Sequence, residues 1–220
     1  FGATAEAPDA VDEIRVIGHY RNAVGTSDAA SQGNITPALI EARPMQRPGE
    51  VLELVPGVIV TQHSGEGKAN QYFLRGFNLD HGTDFRTTVV HMPVNMPSHG
   101  HGQGYSDLNF MIPELVSRIS YRKGPYFAED GDFASAGSAD IHYATQLKQG
   151  IATAGLGSWG WRRALVANSF DAGSGHLLYG VELFHNDGPW ENASDYNKFN
   201  GALSYSQGSN ADGFALTGMA

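Results

Sequence analysis

The chain has 220 residues, of which 17 % are charged and 28 are glycine, and its formal net charge is −9. The acidic balance argues against nucleic acid as a partner, and the absence of cysteine excludes disulfide frameworks and thiolate metal sites. Low charge with abundant glycine favours a β-rich protein with many tight turns, and the sequence has no run of eighteen apolar residues that would form a transmembrane helix.

The first residues carry small side chains in a pattern typical of a cleaved secretory signal. Ala3, Ala5 and Ala7 give two overlapping small-x-small sites, and the chain begins with Phe1 rather than methionine. We expect the chain to begin inside the tail of such a signal. A disordered alanine-rich terminus is the alternative.

An alternating segment follows at residues 11–18, where apolar and polar side chains take turns. This alternation predicts an extended backbone, and the small polar residues 22–33 after it predict a flexible linker. A lone strand ahead of a linker has no sheet of its own to join. The segment is therefore suited to pairing with the sheet edge of a partner.

Prolines and glycines mark the next elements. A helical turn is predicted over residues 35–43, with Thr36 as N-cap and Pro37 at the first helical position. A firmer helix begins at Pro48, and Pro56-Gly57 ends it.

Short apolar strands alternate with loops over the following residues. The strands are predicted at residues 58–60, 72–74, 87–91 and 119–121, with a last strand that ends near residue 141. Between them lie a turn at residues 81–84, a Gly/His-rich loop at 97–105 and a short helix that begins at Pro113.

Strands alone are predicted from about residue 150 onward. Apolar side chains fall on one face at Leu177, Tyr179, Val181 and Leu183, with Leu178 and Phe184 as exceptions on the other face. This is the apolar-out, polar-in alternation of a transmembrane barrel, and a sandwich with one wet face gives the same alternation. Because a spanning strand needs about 9–11 residues, the segment holds roughly four or five strands.

Four short motifs occur in order over the first part of the chain. They are Glu-Val-Leu-Glu-Leu-Val-Pro-Gly-Val at residues 50–58, Asn-Gln-Tyr-Phe-Leu-Arg-Gly-Phe-Asn at 70–78, Met-Pro-Val-Asn at 92–95 and Ile-Ser-Tyr-Arg-Lys-Gly-Pro at 119–125. In this order and at these distances they resemble the plug domain of TonB-dependent outer-membrane receptors.

The resemblance implies an α+β plug domain, a small mixed sheet with short helices, followed by antiparallel transmembrane β-barrel strands. We expect a flexible N-terminal segment over residues 1–34, the plug over 35–145 and barrel strands over 146–220. Plugged barrels have about 22 strands, and an open sheet edge is not tolerated in lipid. The barrel is therefore expected to be incomplete in this chain, which is interpreted as an N-terminal fragment.

The function implied by the resemblance is that of an energy-coupled receptor in the outer membrane, with its N-terminus in the periplasm. Such a receptor is embedded in outer-membrane lipid, binds a scarce ligand and imports it using TonB. A ferric siderophore or another metal chelate is the expected ligand by frequency alone. A soluble periplasmic metal-binding module and a secreted β-sandwich adhesin are the alternatives, and no enzyme signature is present.

The resemblance also assigns residues to roles. The TonB box is expected at Asp12, Glu13, Ile14, Arg15 and Val16, although Arg15 and Ile17-Gly18 depart from the commoner pattern. Ligand-facing plug loops are expected to carry His63, His81, Asp84, His99, His101, Gln103 and Tyr105. Arg75, Arg122 and Lys123 are expected to pair with acidic residues of the barrel wall, with a solvated strand end as the alternative.

Two further expectations concern particular residues. His99 and His101 lie on one side of an extended chain, a geometry that can bind a metal; since no second ligand pair is visible, neither a metal site nor a cofactor is predicted. The family commonly has Asp-Gly where this chain has Val90 and His91. A hairpin without Asp-Gly lacks the residues that a tight primed turn favours, so a looser turn is expected there.

Overall fold

The computed structural model describes residues 20–22, 25–62, 65–208 and 212–220, and for residues 20–29 it describes the backbone alone. The expected TonB box at residues 12–16 and His63 lie outside the described residues. Among the described residues, no helix is long and apolar enough to cross a membrane.

The helices are few, and prolines begin most of them. Helix α1 covers Pro37–Ala42, and its N-cap Thr36 makes no side-chain capping bond. Short 3-10 helices cover Pro48–Leu54, Pro113–Leu115 and Ala128–Asp130. Proline suits the first helical position because its φ is preset and the missing N–H has no partner there, which explains why the predicted helix starts at Pro37, Pro48 and Pro113 are confirmed.

Two sheets form the N-terminal part of the chain. The larger sheet has the order β1-β2-β3-β9-β10-β7-β8, and the smaller sheet has the order β4-β5-β6. The strand bounds are β1 Tyr20–Asn22, β2 Gly25–Ala29, β3 Gln32–Ile35, β4 Val58–Thr61, β5 Gln71–Leu74, β6 Phe77–Asn78, β7 Phe85–Val89, β8 Met92–Pro93, β9 Val116–Lys123 and β10 Gly137–Tyr143. Strands β7 and β10 pair in parallel and the other described pairs are antiparallel, so the sheet is mixed, as predicted.

The core of this domain lies between the larger sheet and the 3-10 helices. Ile35, Leu52, Leu115, Ile119 and Ile141 are each 0 % exposed. Burying one such aliphatic side chain contributes about 1.5–3 kcal/mol. These residues come from elements far apart in sequence, so the core ties the N-terminal half of the chain into one body.

A five-stranded antiparallel meander forms the C-terminal part. Its order is β11-β12-β13-β14-β15, with β11 and β15 as its two edges. The strands are β11 Ile151–Leu156, β12 Arg162–Ala172, β13 Gly175–Asn186, β14 Tyr196–Gly208 and β15 Gly213–Met219. The predicted change from a mixed plug to strands alone is therefore confirmed, and within the described residues the sheet does not close on itself.

The two faces of this meander differ as a barrel wall requires. Val181 and Leu183 are 41 % and 55 % exposed on the outer face, whereas Leu178 and Glu182 are buried on the inner face. Leu178 is 0 % exposed and belongs to the core cluster of the N-terminal domain. It is apolar because that face packs against the domain, which is why it departs from the polar inner row expected of a water-filled barrel.

Gly180 shows how closely the sheet approaches the domain. A Cβ atom at this position would lie 3.0 Å from Leu115 Cδ1 and 3.2 Å from Ile112 Cδ1. Both distances are shorter than ordinary packing contacts between carbon atoms. The absence of a side chain at Gly180 therefore lets the start of β9 and the 3-10 helix before it lie directly on β13.

The connection between β7 and β8 is a tight turn, so the expectation of a looser one is wrong. Val90 and His91 have φ values of 50° and 64°, and the flanking residues Val89 and Met92 pair directly. The Val90 N–H donates to the Ile141 carbonyl at 2.8 Å, which anchors the turn to β10. Pairing with β10 thus holds Val90 and His91 in the left-handed region, although neither residue is glycine.

Replacing His91 by glycine is expected to stabilise the protein by about 1 kcal/mol. The left-handed conformation costs an L-residue roughly 1–2 kcal/mol, and glycine removes that cost at an exposed position. Denaturant unfolding of the purified protein measures the change. His91→Ala is the matched control, since it removes the imidazole without relieving the backbone; an equal gain from both variants would contradict the account.

Candidate functional site

His81 anchors a cluster of polar side chains at one end of the N-terminal domain. It is 3 % exposed, and its Nδ1 lies 3.0 Å from the Ala69 carbonyl oxygen and 3.1 Å from that of Asn70. Carbonyl oxygens only accept hydrogen bonds, so Nδ1 carries the proton and donates it. Nε2 is then the basic nitrogen, and it lies 3.8 Å from Asp80 Oδ1.

His101 reaches the same place from the Gly/His-rich loop. Its ring centroid is 4.5 Å from that of His81, in an edge-to-face arrangement. One ligand atom from each of Asp80, His81 and His101 lies within 4.8 Å of the others. Asp80 and His101 are exposed, so the cluster has one buried member and two members open to solvent.

Asn95 holds together the two loops that carry these residues. Its side-chain amide donates to the carbonyls of Gly82 at 2.9 Å and Gly104 at 3.0 Å, with a further contact to Phe85 at 3.1 Å. Its Oδ1 accepts from the Thr87 N–H at 2.7 Å. Because Asn95 is 7 % exposed, these bonds fix the loop of His101 against the turn of His81.

Tyr105 separates His99 from the cluster. The two rings stack at 4.0 Å with an interplanar angle of 13°, and the Tyr105 hydroxyl accepts from the Ala69 N–H at 2.8 Å. The His99 ring packs on Tyr105 and the His101 ring packs on His81, while the His101 N–H donates to His99 Nδ1 at 3.2 Å.

Asp84 and Gln103, two other residues expected in ligand-facing loops, have separate roles. The Asp84 side chain accepts a hydrogen bond from the Ser135 hydroxyl, which directs it toward the loop before β10. The side chain of Gln103 is exposed, and its carbonyl accepts from the Thr83 hydroxyl at 2.9 Å. The structure thus brings His81 and His101 together and places Asp84 outside their cluster.

The three cations expected to reach the barrel wall lie on the N-terminal domain. Arg75 is exposed in the two-residue turn between β5 and β6. Arg122 pairs with Glu129 and Asp130, both at 3.1 Å.

Lys123 is buried, and its Nζ donates to the Pro56 carbonyl at 3.3 Å. Burial, and then the nearby charge of Arg75, lower the pKa of its ammonium group. Among the described residues none of the three forms an ion pair with β11–β15.

A different set of charges joins the domain to the meander. Arg163 on β12 pairs with both carboxylate oxygens of Glu114, at 2.5 Å and 2.9 Å. Its Nε donates to Glu182 on β13 at 2.6 Å. Glu182 also forms an ion pair with Lys198 at 3.1 Å and accepts a hydrogen bond from the Asn200 side-chain amide at 2.8 Å.

This junction network consists of Glu114, Arg163, Glu182, Lys198 and Asn200. It balances two carboxylates against two cations, and Glu182 at its centre is 1 % exposed. The Asn200 amide also donates to the Asn109 carbonyl at 2.8 Å, which adds a second bond between strand and domain. A buried carboxylate requires this degree of pairing, so the network fixes how the domain sits on the sheet.

The spacing of these residues along the chain did not indicate this network. Glu114 lies 49 residues from Arg163, and each residue on its own is an ordinary charged side chain. Only the polar positions at Glu182 and Lys198 within an alternating strand pattern marked the inner face on which the network forms.

The His81 cluster lies toward the end of the meander that carries its long connection. The long connection, residues 187–195, joins β13 to β14, and the short turn of residues 173–174 joins β12 to β13. Glu66 accepts from the side chain of Asn186 beside the long connection. Ala69, three residues after Glu66, accepts a hydrogen bond from His81, so the cluster lies near this connection. At the other end of the meander, near the short turn, the Leu147 N–H donates to the Ser169 hydroxyl at 2.8 Å.

Comparison with known proteins places the chain in a receptor family. Residues 25–138, about half of the chain, match the family model described as the TonB-dependent receptor plug domain.

Solved structures with the same fold include two receptors and a transporter. The siderophore receptor PirA from Acinetobacter baumannii has a TM-score of 0.60 at 14 % identity, over 86 % of this chain and 31 % of that one. The ferric yersiniabactin uptake receptor FyuA from Yersinia pestis gives 0.61 at 16 %, over 85 % and 31 %. The copper transporter OprC gives 0.58 at 18 %, over 81 % and 28 %. The chain therefore spans about a third or less of the length of each.

Proposed function

Because this chain belongs to the TonB-dependent receptors, whose plug-domain model it matches, we propose that it is the plug and the first barrel strands of an energy-coupled outer-membrane transporter. The flexible linker expected over residues 22–33 is wrong, because strands β1–β3 there belong to the larger sheet. The plug is therefore assigned the strands from β1 up to residue 145, and the barrel strands residues 146–220. The complete receptor binds a scarce ligand outside the cell and passes it to the periplasm.

The exposed apolar face of the meander is the observation that carries this proposal. Large apolar side chains stand outward on successive strands, at Val166, Phe170, Val181, Leu183, Phe199, Leu203, Phe214 and Leu216, each at least 41 % exposed. In water such a row would be a strong aggregation liability, and in lipid it is the expected outer band of a barrel. A soluble periplasmic module would expose this apolar face to water, which argues against that alternative.

The orientation follows from the lengths of the connections. Outer-membrane barrels have short periplasmic turns and longer extracellular loops. With residues 187–195 outside and residues 173–174 in the periplasm, the His81 cluster faces the cell exterior. The loops of residues 79–85 and 97–105 are then the first part of the plug that an incoming ligand meets.

Energy coupling is assigned to residues 12–16. An apolar–polar alternation ahead of the plug sheet suits addition to the sheet edge of TonB in the periplasm. The ligand is a small metal-bearing compound, a ferric siderophore or another metal chelate, since PirA is a siderophore receptor and OprC a copper transporter.

Growth under metal starvation tests the proposal. Cells that carry the complete receptor are compared with cells that lack it, in medium depleted by a chelator and resupplied with one metal at a time. A receptor-dependent growth advantage that disappears in a strain without TonB is expected. An advantage that persists without TonB would contradict energy coupling, and a receptor found outside the outer-membrane fraction would contradict the assignment as a whole.

A further inference from the structure

We propose that Asp80, His81 and His101 coordinate a divalent first-row transition metal ion as transport cargo. This inference rests on the proposed function for its direction of access, because only a plug whose cluster faces outward meets a metal arriving from the medium. It names the ligand chemistry, which the family match leaves open.

The donor set suits such an ion. Two imidazole nitrogens and one carboxylate oxygen are ligands that zinc, copper, nickel and iron(II) accept, whereas calcium and magnesium prefer oxygen alone. The three ligand atoms already lie within 4.8 Å of one another. Only a modest closure brings them to the roughly 2.0–2.2 Å metal–ligand distances of a bound ion.

Two backbone carbonyl groups orient the His81 ring for metal coordination. Metal-binding histidines usually donate their second ring N–H to a carbonyl or carboxylate, which fixes the tautomer and the ring orientation. The Nδ1 of His81 does this toward Ala69 and Asn70, at 3.0 Å and 3.1 Å. These two contacts orient the ring so that Nε2 lies on the side of Asp80, 3.8 Å from its Oδ1.

The arrangement fits cargo better than a structural ion. A structural zinc site is usually closed by four protein ligands, whereas three ligands leave positions for water or for another donor. Asp80 and His101 are exposed and stand on turns at the surface, so the ion can enter and leave. The open positions also allow a metal that is still held by a small chelator to bind.

A second group of similar composition provides a comparison. His185, Asp187 and Asp195 also place their ligand atoms within 4.8 Å of one another. That group has one imidazole, whose Nδ1 lies 2.8 Å from the Asn197 side-chain oxygen. With a single nitrogen donor it is the weaker site for a transition metal, and it serves as an internal control.

Metal binding to the complete receptor in detergent tests the proposal. Zn²⁺ and Cu²⁺ are titrated by equilibrium dialysis against the receptor and against His101→Ala and Asp80→Asn. Because both residues are exposed, the variants are expected to fold normally, and circular dichroism melting verifies this. Loss of a ligand should weaken binding by at least as much as loss of an outer hydrogen-bond partner, roughly 10- to 100-fold.

Two histidine controls make the test specific. His185→Ala and His99→Ala should leave the dissociation constant within about twofold, because neither residue belongs to the Asp80–His81–His101 cluster. The proposal is overturned if His99→Ala weakens binding as much as His101→Ala while Asp80→Asn has no effect. It is also overturned if the unaltered receptor binds neither ion, or if both cluster variants bind as tightly as the unaltered receptor.

The source of the metal is resolved by a parallel titration with citrate present. Radiolabelled citrate that is retained together with Zn²⁺ indicates binding of the chelate, whereas Zn²⁺ bound without citrate indicates the free ion; either result agrees with the site. Failure of metal binding in a receptor that still imports a ligand in a TonB-dependent way would remove this inference and leave the proposed function standing.

Discussion

Replacing Ile14 by proline in the complete receptor is expected to abolish import while ligand binding at the cell surface persists. Proline removes one backbone donor and fixes φ. If residues 12–16 add as a strand to the sheet edge of TonB, main-chain hydrogen bonds supply most of the affinity. Loss of one such bond in the middle of a short strand interrupts the pairing. Ile35 is the first buried apolar residue among the side chains that the structure describes, so the substitution lies well upstream of it.

The comparison needs surface binding and internal accumulation from the same cells. Ala7→Pro is the matched control, because it introduces the same residue upstream of the segment and should leave import intact. Normal import by the Ile14→Pro receptor would show that coupling runs through another segment. Loss of surface binding in the same variant would show that the substitution acts on the fold of the receptor instead.

Replacing Glu182 by alanine is expected to weaken the packing of the plug on the barrel strands and to lower the free energy of unfolding by about 3–5 kcal/mol. That is the usual cost of leaving a buried charge without its partner. Arg163 and Lys198 both bond to Glu182, so the variant leaves two cations close together in a buried place. Glu114 still balances Arg163, which leaves Lys198 as the uncompensated charge.

A second substitution separates charge balance from lost packing. Adding Lys198→Met to Glu182→Ala removes the uncompensated cation and should recover part of the loss. The midpoint of denaturant unfolding of the purified receptor reports both changes. Glu191→Ala, at an exposed position in the long connection, should stay within about 0.5 kcal/mol. If Glu182→Ala changes the free energy of unfolding as little as Glu191→Ala, the junction network does not stabilise the packing of the plug on the sheet.

Local chemistry made much of the fold predictable. Proline fixes φ and has no N–H, so Pro37, Pro48 and Pro113 indicated helix starts that the structure has. Alternation along β13 separated Val181 and Leu183 from Glu182 correctly, because side chains in a strand point to opposite faces in turn.

The turn at Val90-His91 was not predictable from the same rules. The residues there disfavour the conformation they adopt, and the bond from Val90 to Ile141 comes from a strand some fifty residues away. A tertiary contact overrides local preference in this case. Leu178 departs from the polar pattern of its face for a similar reason, since it packs against the domain core and not against water.

The candidate site was predictable by residue type but not by arrangement. The histidine-rich loop and its neighbours were visible in the sequence. The packing of the His101 ring on His81 depends on Asn95, whose bonds to Gly82 and Gly104 join the two loops. Asn95 stood inside a recognisable motif, yet its role as a clamp emerges only when both loops are placed in space.

Energised zinc uptake tests the central claim most directly. Cells that carry the complete receptor are incubated with radioactive zinc, and a chelator wash separates surface-bound from internal metal, with and without an uncoupler of the proton gradient. The account predicts receptor-dependent internal zinc that the uncoupler abolishes while the surface-bound fraction remains, and a His101→Ala receptor that loses both fractions. Internal zinc that is independent of the receptor, or unchanged by the uncoupler, would contradict it.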